Sequence, residues 1–288
     1  RRSAKPLSVG SNPTPTSRET ENRGPQGGPH LARCRAPRSV HMGGEDVNPI
    51  LQSLHSRKSV RAYTDRSIEP EVRQAVLEAA LQAPSAGNMA LYTIIEVTDP
   101  ALKATLARTC DNQPFIATAP MVLVFCADYS RWYALFAASD PATRRPSYGD
   151  FVLACCDALI AAQNAVVAAE SLGLGSCYIG DILENYEIHK ELLGLPKYVA
   201  PVILLCFGYP TEQQKQRRKP PRFRVADIVH ENRYQPRDMA AMIAERNDVA
   251  GADLDRWIDA FRRRKWDSDF SREMSRSVRA MLDDWTEE

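Results

Sequence analysis

Phe151-Val-Leu-Ala-Cys-Cys-Asp-Ala-Leu-Ile-Ala-Ala-Gln-Asn-Ala-Val-Val-Ala-Ala-Glu-Ser-Leu-Gly173 runs straight on into Leu174-Gly-Ser-Cys-Tyr-Ile-Gly180. The first part is apolar nearly all round, with Asp157, Gln163, Asn164 and Glu170 as its strong polar exceptions. Such a pattern predicts a helix buried on most faces. Its length would also allow a membrane span, but an acid in the first third and an amide pair in the middle argue for a packed interior helix. Ionisable groups at bilayer depth cost about 3 kcal/mol or more. Gly173 and Gly175 are expected to stop the helix, and Ser-Cys-Tyr-Ile then reads as a short buried strand. A helix this apolar needs cover on every side, and few other helices in the chain are long and apolar, so part of the cover is expected from a second copy of the chain.

Working outward, Asn48 opens a short amphipathic helix that ends at His55-Ser-Arg57-Lys58-Ser59-Val60-Arg61. Glu69-Pro70-Glu71 opens another, with proline near the first position and acids in the first turn. Val72, Ala75, Val76, Ala79, Ala80 and Ala83 give it an apolar face, and Pro84 ends it. A loop, Ser85-Ala-Gly-Asn88, leads to a strand over residues 92–97, a helix over 100–109 and a fully buried strand over 121–127. Residues 138–149 read as a mobile loop. Beyond the central stretch come a helix over 186–193, a buried strand over 202–207 and a basic segment over 213–224, in which six of twelve residues are Lys or Arg. The last fifty residues read as helices. Trp257, Phe261, Trp266, Phe270, Met274, Val278, Met281 and Trp285 are spaced as a strip laid over another surface. Helices interleaved with a few strands around one sheet give an α+β or α/β class.

At 288 residues and 44% apolar content, the chain is an ordinary globular size and composition. Residues 1–44 carry eight Lys or Arg against two Glu, a local +6 that leaves −5 for the rest of a chain whose formal net charge is +1. That segment is rich in Pro, Gly, Ser and Arg without periodicity and reads as a disordered extension. Met42 is a candidate native start, which would make residues 1–41 non-native. Residues 45–235 are then expected to form the main domain and residues 236–288 a C-terminal helical extension. The mildly acidic folded part shows no global preference for nucleic acid. Seven cysteines without CxxC or zinc spacing, mostly in apolar runs, suit reduced thiols in a cytoplasm. No histidine pair stands at metal spacing, and neither a dinucleotide fingerprint, a phosphate-loop motif nor a Gly-x-Ser-x-Gly elbow is present.

Four constellations can carry chemistry. Arg57, Lys58, Ser59 and Arg61 place three cations and a hydroxyl within five residues, and the 213–224 segment supplies a second basic cluster around Lys219 and Arg222. Each alone reads equally as a solvated basic surface. Together they can converge on one phosphate, for which the arginine fork suits paired oxygen contacts. The loop Pro84, Ser85, Ala86, Gly87, Asn88 offers N–H groups and an amide to the edge of a planar heterocycle, with a plain turn as the other reading. Residues 173–180 have glycines that let backbone approach a ligand closely.

Arg57-Lys-Ser-Val-Arg61, Ala83-Pro-Ser-Ala-Gly-Asn88, Asn112-Gln-Pro-Phe115, Gly173-Leu-Gly-Ser-Cys-Tyr-Ile-Gly180 and Lys219-Pro-Pro-Arg222, taken in this order and spacing, resemble the FMN-dependent nitroreductase family over residues 48–234. The resemblance implies an α+β sandwich, an intertwined homodimer with flavin at the subunit interface, and no nucleic-acid or membrane partner. It implies that Arg57, Ser59 and Arg61, assisted by Lys58, hold the phosphate, ribityl chain and pyrimidine edge of FMN. Pro84, Ser85 and Asn88 would reach the same flavin, the first two from the partner subunit. Tyr178, Ile179 and Gly180 would lay backbone against the ring, and Lys219 and Arg222 would close a second phosphate clamp. The implied chemistry is ping-pong reduction of nitroaromatics, quinones or similar electron-poor small molecules by NADH or NADPH, with no catalytic acid or base. Reductive dehalogenation, flavin fragmentation and non-catalytic flavin binding use much the same cradle. Ala90-Leu91-Tyr92 stands where many members have Gln-Pro-Trp, and the helices after Tyr234 exceed the minimal core. These departures bear on substrate choice.

Overall fold

Four strands carry the fold: β1 (Tyr92–Glu96), β2 (Met121–Asp128), β3 (Gly175–Ile179) and β4 (Val199–Gly208). In the computed structural model, which describes residues 48–287, they make one antiparallel sheet in the order β1-β2-β4-β3. Side chains of a strand alternate between faces. Met121, Leu123, Phe125 and Ala127 of β2 accordingly enter one apolar cluster, while Val122, Val124 and Cys126 enter another on the opposite face. A sheet covered on both sides explains why β2 and β4 are buried along their whole length, and the α+β class is as expected.

Among the described residues there are twelve α-helices: α1 (Pro49–Ser56), α2 (Pro70–Leu81), α3 (Pro100–Thr109), α4 (Phe115–Thr118), α5 (Ser130–Ser139), α6 (Tyr148–Ser171), α7 (Tyr186–Leu193), α8 (Glu212–Gln216), α9 (Val225–Ile228), α10 (Met239–Asn247), α11 (Gly251–Lys265) and α12 (Asp269–Thr286). The central stretch is α6, which packs against all four strands and against α2. It is long and apolar enough to cross a bilayer by length and composition. Instead, Ala154, Ala158, Ala161, Ala162, Ala165 and Ala169 form its buried side, where small residues let it lie close to the sheet. Ser147 and Asp150 form a capping box at its start, and Arg144 grips Asp150 at 2.6 and 2.9 Å. The other side is not covered within the described residues: Val152, Leu153, Leu159 and Ile160 are all exposed.

Several expectations need correction. Gly173, at φ +80°, does end α6, but Gly175 is the first residue of β3 and stops nothing. The loop expected over 138–149 is only the connection between α5 and α6, because α5 runs to Ser139 and α6 starts at Tyr148. No helix was expected at residues 130–137, where Trp132, Tyr133, Leu135 and Phe136 supply apolar side chains without a clear cap. The C-terminal strip divides in two. Met281 and Trp285 of α12 are buried against the core, whereas Phe261 of α11 and Trp266 just after it remain exposed. Spacing fixes which residues share a helix face; it does not place a surface beneath that face. The expectations for residues 1–44, the Met42 start among them, lie outside the described residues.

Candidate functional site

The cations after α1 are held by a strap that runs along the sheet edge. Val60 N donates to Ser176 O at 2.9 Å, Ser59 bridges Ser176, and Tyr63 bridges Pro210. The Tyr63 hydroxyl donates to Val60 O at 2.9 Å and lies 3.2 Å from Cys206 O. Burial pushes its pKa far above the phenolic range, so it serves as a neutral anchor. Two glycines make room for the strap. A Cβ on Gly175 would sit 2.6 Å from Val60 Cγ2, and one on Gly208 would sit 2.7 Å from Tyr63 Cδ1. In extended backbone, alternate residues share a side. Lys58 and Val60, two residues apart, both line a cavity of about 260 Å³.

The basic segment folds back onto this strap. Lys58 Nζ donates to Lys215 O at 2.6 Å and also to Arg217 O, and the Arg217 guanidinium returns a hydrogen bond to Ser59 O. Gln214 Oε1 accepts from Arg61 N at 3.3 Å. Lys219 Nζ reaches His55 O at 2.6 Å and Leu54 O at 3.2 Å, capping the last carbonyls of α1. Its pKa is lowered, first by burial and then by Arg222 and Arg57. The two clusters, distant in sequence, thus meet. Arg222 stands at the edge, exposed, with its guanidinium on Pro220 O at 3.2 Å.

Arg57 is the least satisfied member. Its Nη2 lies 3.3 Å from Ser176 Oγ and its guanidinium 5.6 Å from the Tyr178 ring centre, while its buried Nε has no partner. A buried guanidinium N–H without an acceptor is costly, and an anionic oxygen would satisfy it. Tyr178 donates to Gln163 Oε1 at 2.9 Å, and burial raises its pKa to about 12. The Ile179 side chain is core, so only its backbone can meet a ligand. Gly180 opens a 3₁₀ turn with nothing within 4 Å of a Cβ placed there.

The loop of residues 84–88 is set by an acid that sequence reading marked only as a polar exception. Asp157, buried on α6, accepts Ala86 N at 3.0 Å and Leu91 N at 3.1 Å. Ser85 Oγ accepts Ala90 N at 2.9 Å, leaving Pro84 and Asn88 exposed. This loop is not brought to the cations within one chain. It hangs from Asp157, whereas Lys58 and Lys215 share a cavity with Glu170 near the far end of the same helix, about 20 Å away at about 1.5 Å per residue. Gln113 was likewise missed; it donates to Asp181 Oδ2 at 2.8 Å, tying the Asn112-Gln-Pro-Phe segment to the residue after Gly180. Among the described residues no cluster of His, Cys, Asp or Glu is arranged to hold a metal ion. A phosphate-bearing planar ligand fits what is present: converging cations, an orphaned buried N–H, and backbone beside open space at Gly180.

Comparison with known proteins agrees with this geometry. A model of the Nitroreductase family matches residues 54–209. The chain is 34% identical over 225 residues to the oxygen-insensitive NADPH nitroreductase of Salmonella typhimurium, covering 75% of this chain and 91% of that protein. It is 35% identical over 196 residues to an FMN reductase [NAD(P)H] of Bacillus subtilis, covering 67% of this chain and 77% of that one. Among solved structures, NfrA2 of B. megaterium matches with a TM-score of 0.68 and 31% identity, covering 83% of this chain and 98% of its own. The NADPH:FMN oxidoreductase of Vibrio harveyi in complex with NAD+ matches at 0.62 and 29%, covering 82% and 91%. The chain belongs to the Nitroreductase family.

Proposed function

We propose that this protein is an FMN-dependent NAD(P)H oxidoreductase that reduces nitroaromatics, quinones or similar electron-poor small molecules. The observation that carries the reading is the fold-back of residues 215–219 onto residues 54–59 beside Arg57, whose buried Nε lacks an acceptor. Arg57, Lys58, Lys219 and Arg222 would hold the phosphate, with charge-assisted hydrogen bonds as the main source of affinity. Ser59 and Arg61 would meet the ribityl chain and the pyrimidine edge, and the backbone of Tyr178, Ile179 and Gly180 would lie against the ring. When bound, FMN would supply hydride acceptance from the nicotinamide and hydride delivery to the acceptor. The chain contributes binding, orientation and exclusion of water, and no side chain is assigned as catalytic acid or base. Nicotinamide and acceptor would occupy one face in turn, which makes the kinetics ping-pong.

The separation of the 84–88 loop from the cations along α6 supports a homodimer, with Pro84 and Ser85 of one subunit completing the flavin site of the other. The exposed Val152, Leu153, Leu159 and Ile160 of the same helix supply an apolar contact face. Reduction is tested by anaerobic stopped-flow mixing of the FMN-loaded protein with NADPH and with NADH. Bleaching of the flavin band and its return on adding a nitroarene or quinone are expected, whereas a flavin that neither nicotinamide bleaches would mark a storage protein. Arg57→Ala is expected to lower FMN affinity by about 10- to 100-fold, the scale of a hydrogen bond to a charged group. A purified protein that takes up no FMN would overturn the reading.

A further inference from the structure

The cation site contains one group of the wrong sign. Glu170, on the last turn of α6, shares the walls of the 260 Å³ cavity with Lys58 and Lys215. Lys58 of the strap and Lys215 of α8 line that cavity with it, and the charges of Arg57, Lys219 and Lys58 all pull its carboxyl towards the ionised form. We propose that Glu170 is the built-in counter-charge of this clamp, competing with the phosphate of the flavin for the same cations and making FMN affinity depend on the protonation state of its carboxyl, a role that rests on the flavin reading above.

The physical reasons are three. Arg57 has a buried N–H to offer and Lys219 is already depleted of proton affinity by burial beside Arg222 and Arg57, so an empty clamp is a concentration of positive charge that needs compensation. Glu170 supplies that charge from within the fold. When a phosphate arrives, its two negative charges and the carboxylate lie among the same cations and repel, and like charges in one site force one acid to hold a proton. Burial already raises the Glu170 pKa, against the opposing pull of Arg57, Lys219 and Lys58, so Glu170 is the acid disposed to take that proton. A neutral carboxyl also becomes a hydrogen-bond donor to phosphate oxygen. The consequence is that FMN binding is linked to proton uptake, and its affinity falls as pH rises above the raised pKa of Glu170 in the empty site. Riboflavin, which lacks the phosphate, escapes the linkage.

The test compares Kd for FMN and for riboflavin, by quenching of flavin fluorescence, in deflavinated wild-type protein and in Glu170→Gln between pH 5 and 9. The titration of the phosphate itself is common to both proteins and cancels in the ratio of their FMN affinities. That ratio is expected to rise with pH and to favour the Glu170→Gln protein by about tenfold at pH 9, the equivalent of one unit of pKa change; riboflavin should bind both proteins equally at every pH. A second measurement reads the same linkage directly: FMN added in weak buffer, at the pH where that ratio changes most steeply, should take up more protons with the wild-type protein than with Glu170→Gln, the uptake by the phosphate itself being common to both. An FMN ratio independent of pH, or equal proton uptake by the two proteins, overturns the role of Glu170 while leaving the flavin site intact. Failure of wild-type protein to bind either flavin overturns the flavin reading together with it.

Discussion

At the scale of single residues, two glycines close in sequence carry opposite expectations. Gly175 lies under Val60, where a Cβ would come within 2.6 Å of Cγ2, so Gly175→Ala forces the strap away from β3. Overpacking of this kind costs about 1–3 kcal/mol, and both a lower Tm and weaker FMN binding should be measured. Gly180 has open space at its Cβ position. Gly180→Val should leave Tm nearly unchanged and weaken FMN alone; unchanged flavin affinity would mean that this backbone does not meet the ring. Glu184 carries a pH prediction. It is buried, its Oε1 has no partner, and desolvation followed by the Asp181 charge holds its pKa up at about 8. An acid whose pKa rises on folding keeps its proton in the native state, so stability is complete below its ordinary value of 4.5 and declines as pH climbs towards 8. The Tm of Glu184→Gln relative to wild type is therefore expected to increase between pH 5 and pH 8. A difference that stays constant with pH would exclude the linkage.

Among the elements, α12 shows how a helix beyond the family-matched residues is tied to the core. Trp285 is buried and meets Phe151 and Tyr198 edge-on at 5.0 and 5.8 Å. Ser277 and Glu273 accept the N–H groups of Tyr186 and Asn185 at the start of α7, at 2.8 and 3.1 Å, which satisfies donors that a helix N-terminus leaves free. Asp284 takes Lys190 at 2.7 Å and the Tyr186 hydroxyl at 2.6 Å. Trp285→Ala is expected to cost about 3–5 kcal/mol, as loss of a buried large aromatic does, with a fall in Tm read by calorimetry. A change smaller than about 1 °C, well under what a loss of that size produces, would show that α12 is an appendage. By contrast α11 presents Trp257 and Phe261 stacked on each other at 4.9 Å rather than on the sheet, so the aromatic spacing of the C-terminal region describes two different situations with one pattern.

For the whole molecule, the decisive surface is the outer side of α6, where Val152, Leu153, Leu159 and Ile160 remain uncovered within one chain. Ile160→Asp is expected to convert the proposed dimer to monomer in sedimentation equilibrium and to lower FMN affinity at the same time. A monomeric wild-type protein that binds FMN fully would remove the intersubunit site. What the sequence by itself determined was the periodic part: the apolar α6, the buried strands, the proline-started α2, and the order of the basic, loop and glycine motifs that marks the family. These are legible because periodicity and local backbone preference act over a few residues. Only the tertiary structure decided which of those motifs meet. It brought Lys219 and Arg217 to the strap, placed Asp157 under the 84–88 loop, and gave Gly175 to close packing rather than to a helix end. It also set Glu170 among the cations and left the loop and the clamp at opposite ends of one helix. Such pairings depend on contacts between residues far apart in the chain, where hydrogen bonds and excluded volume act only after the sheet has formed, and no local pattern records them.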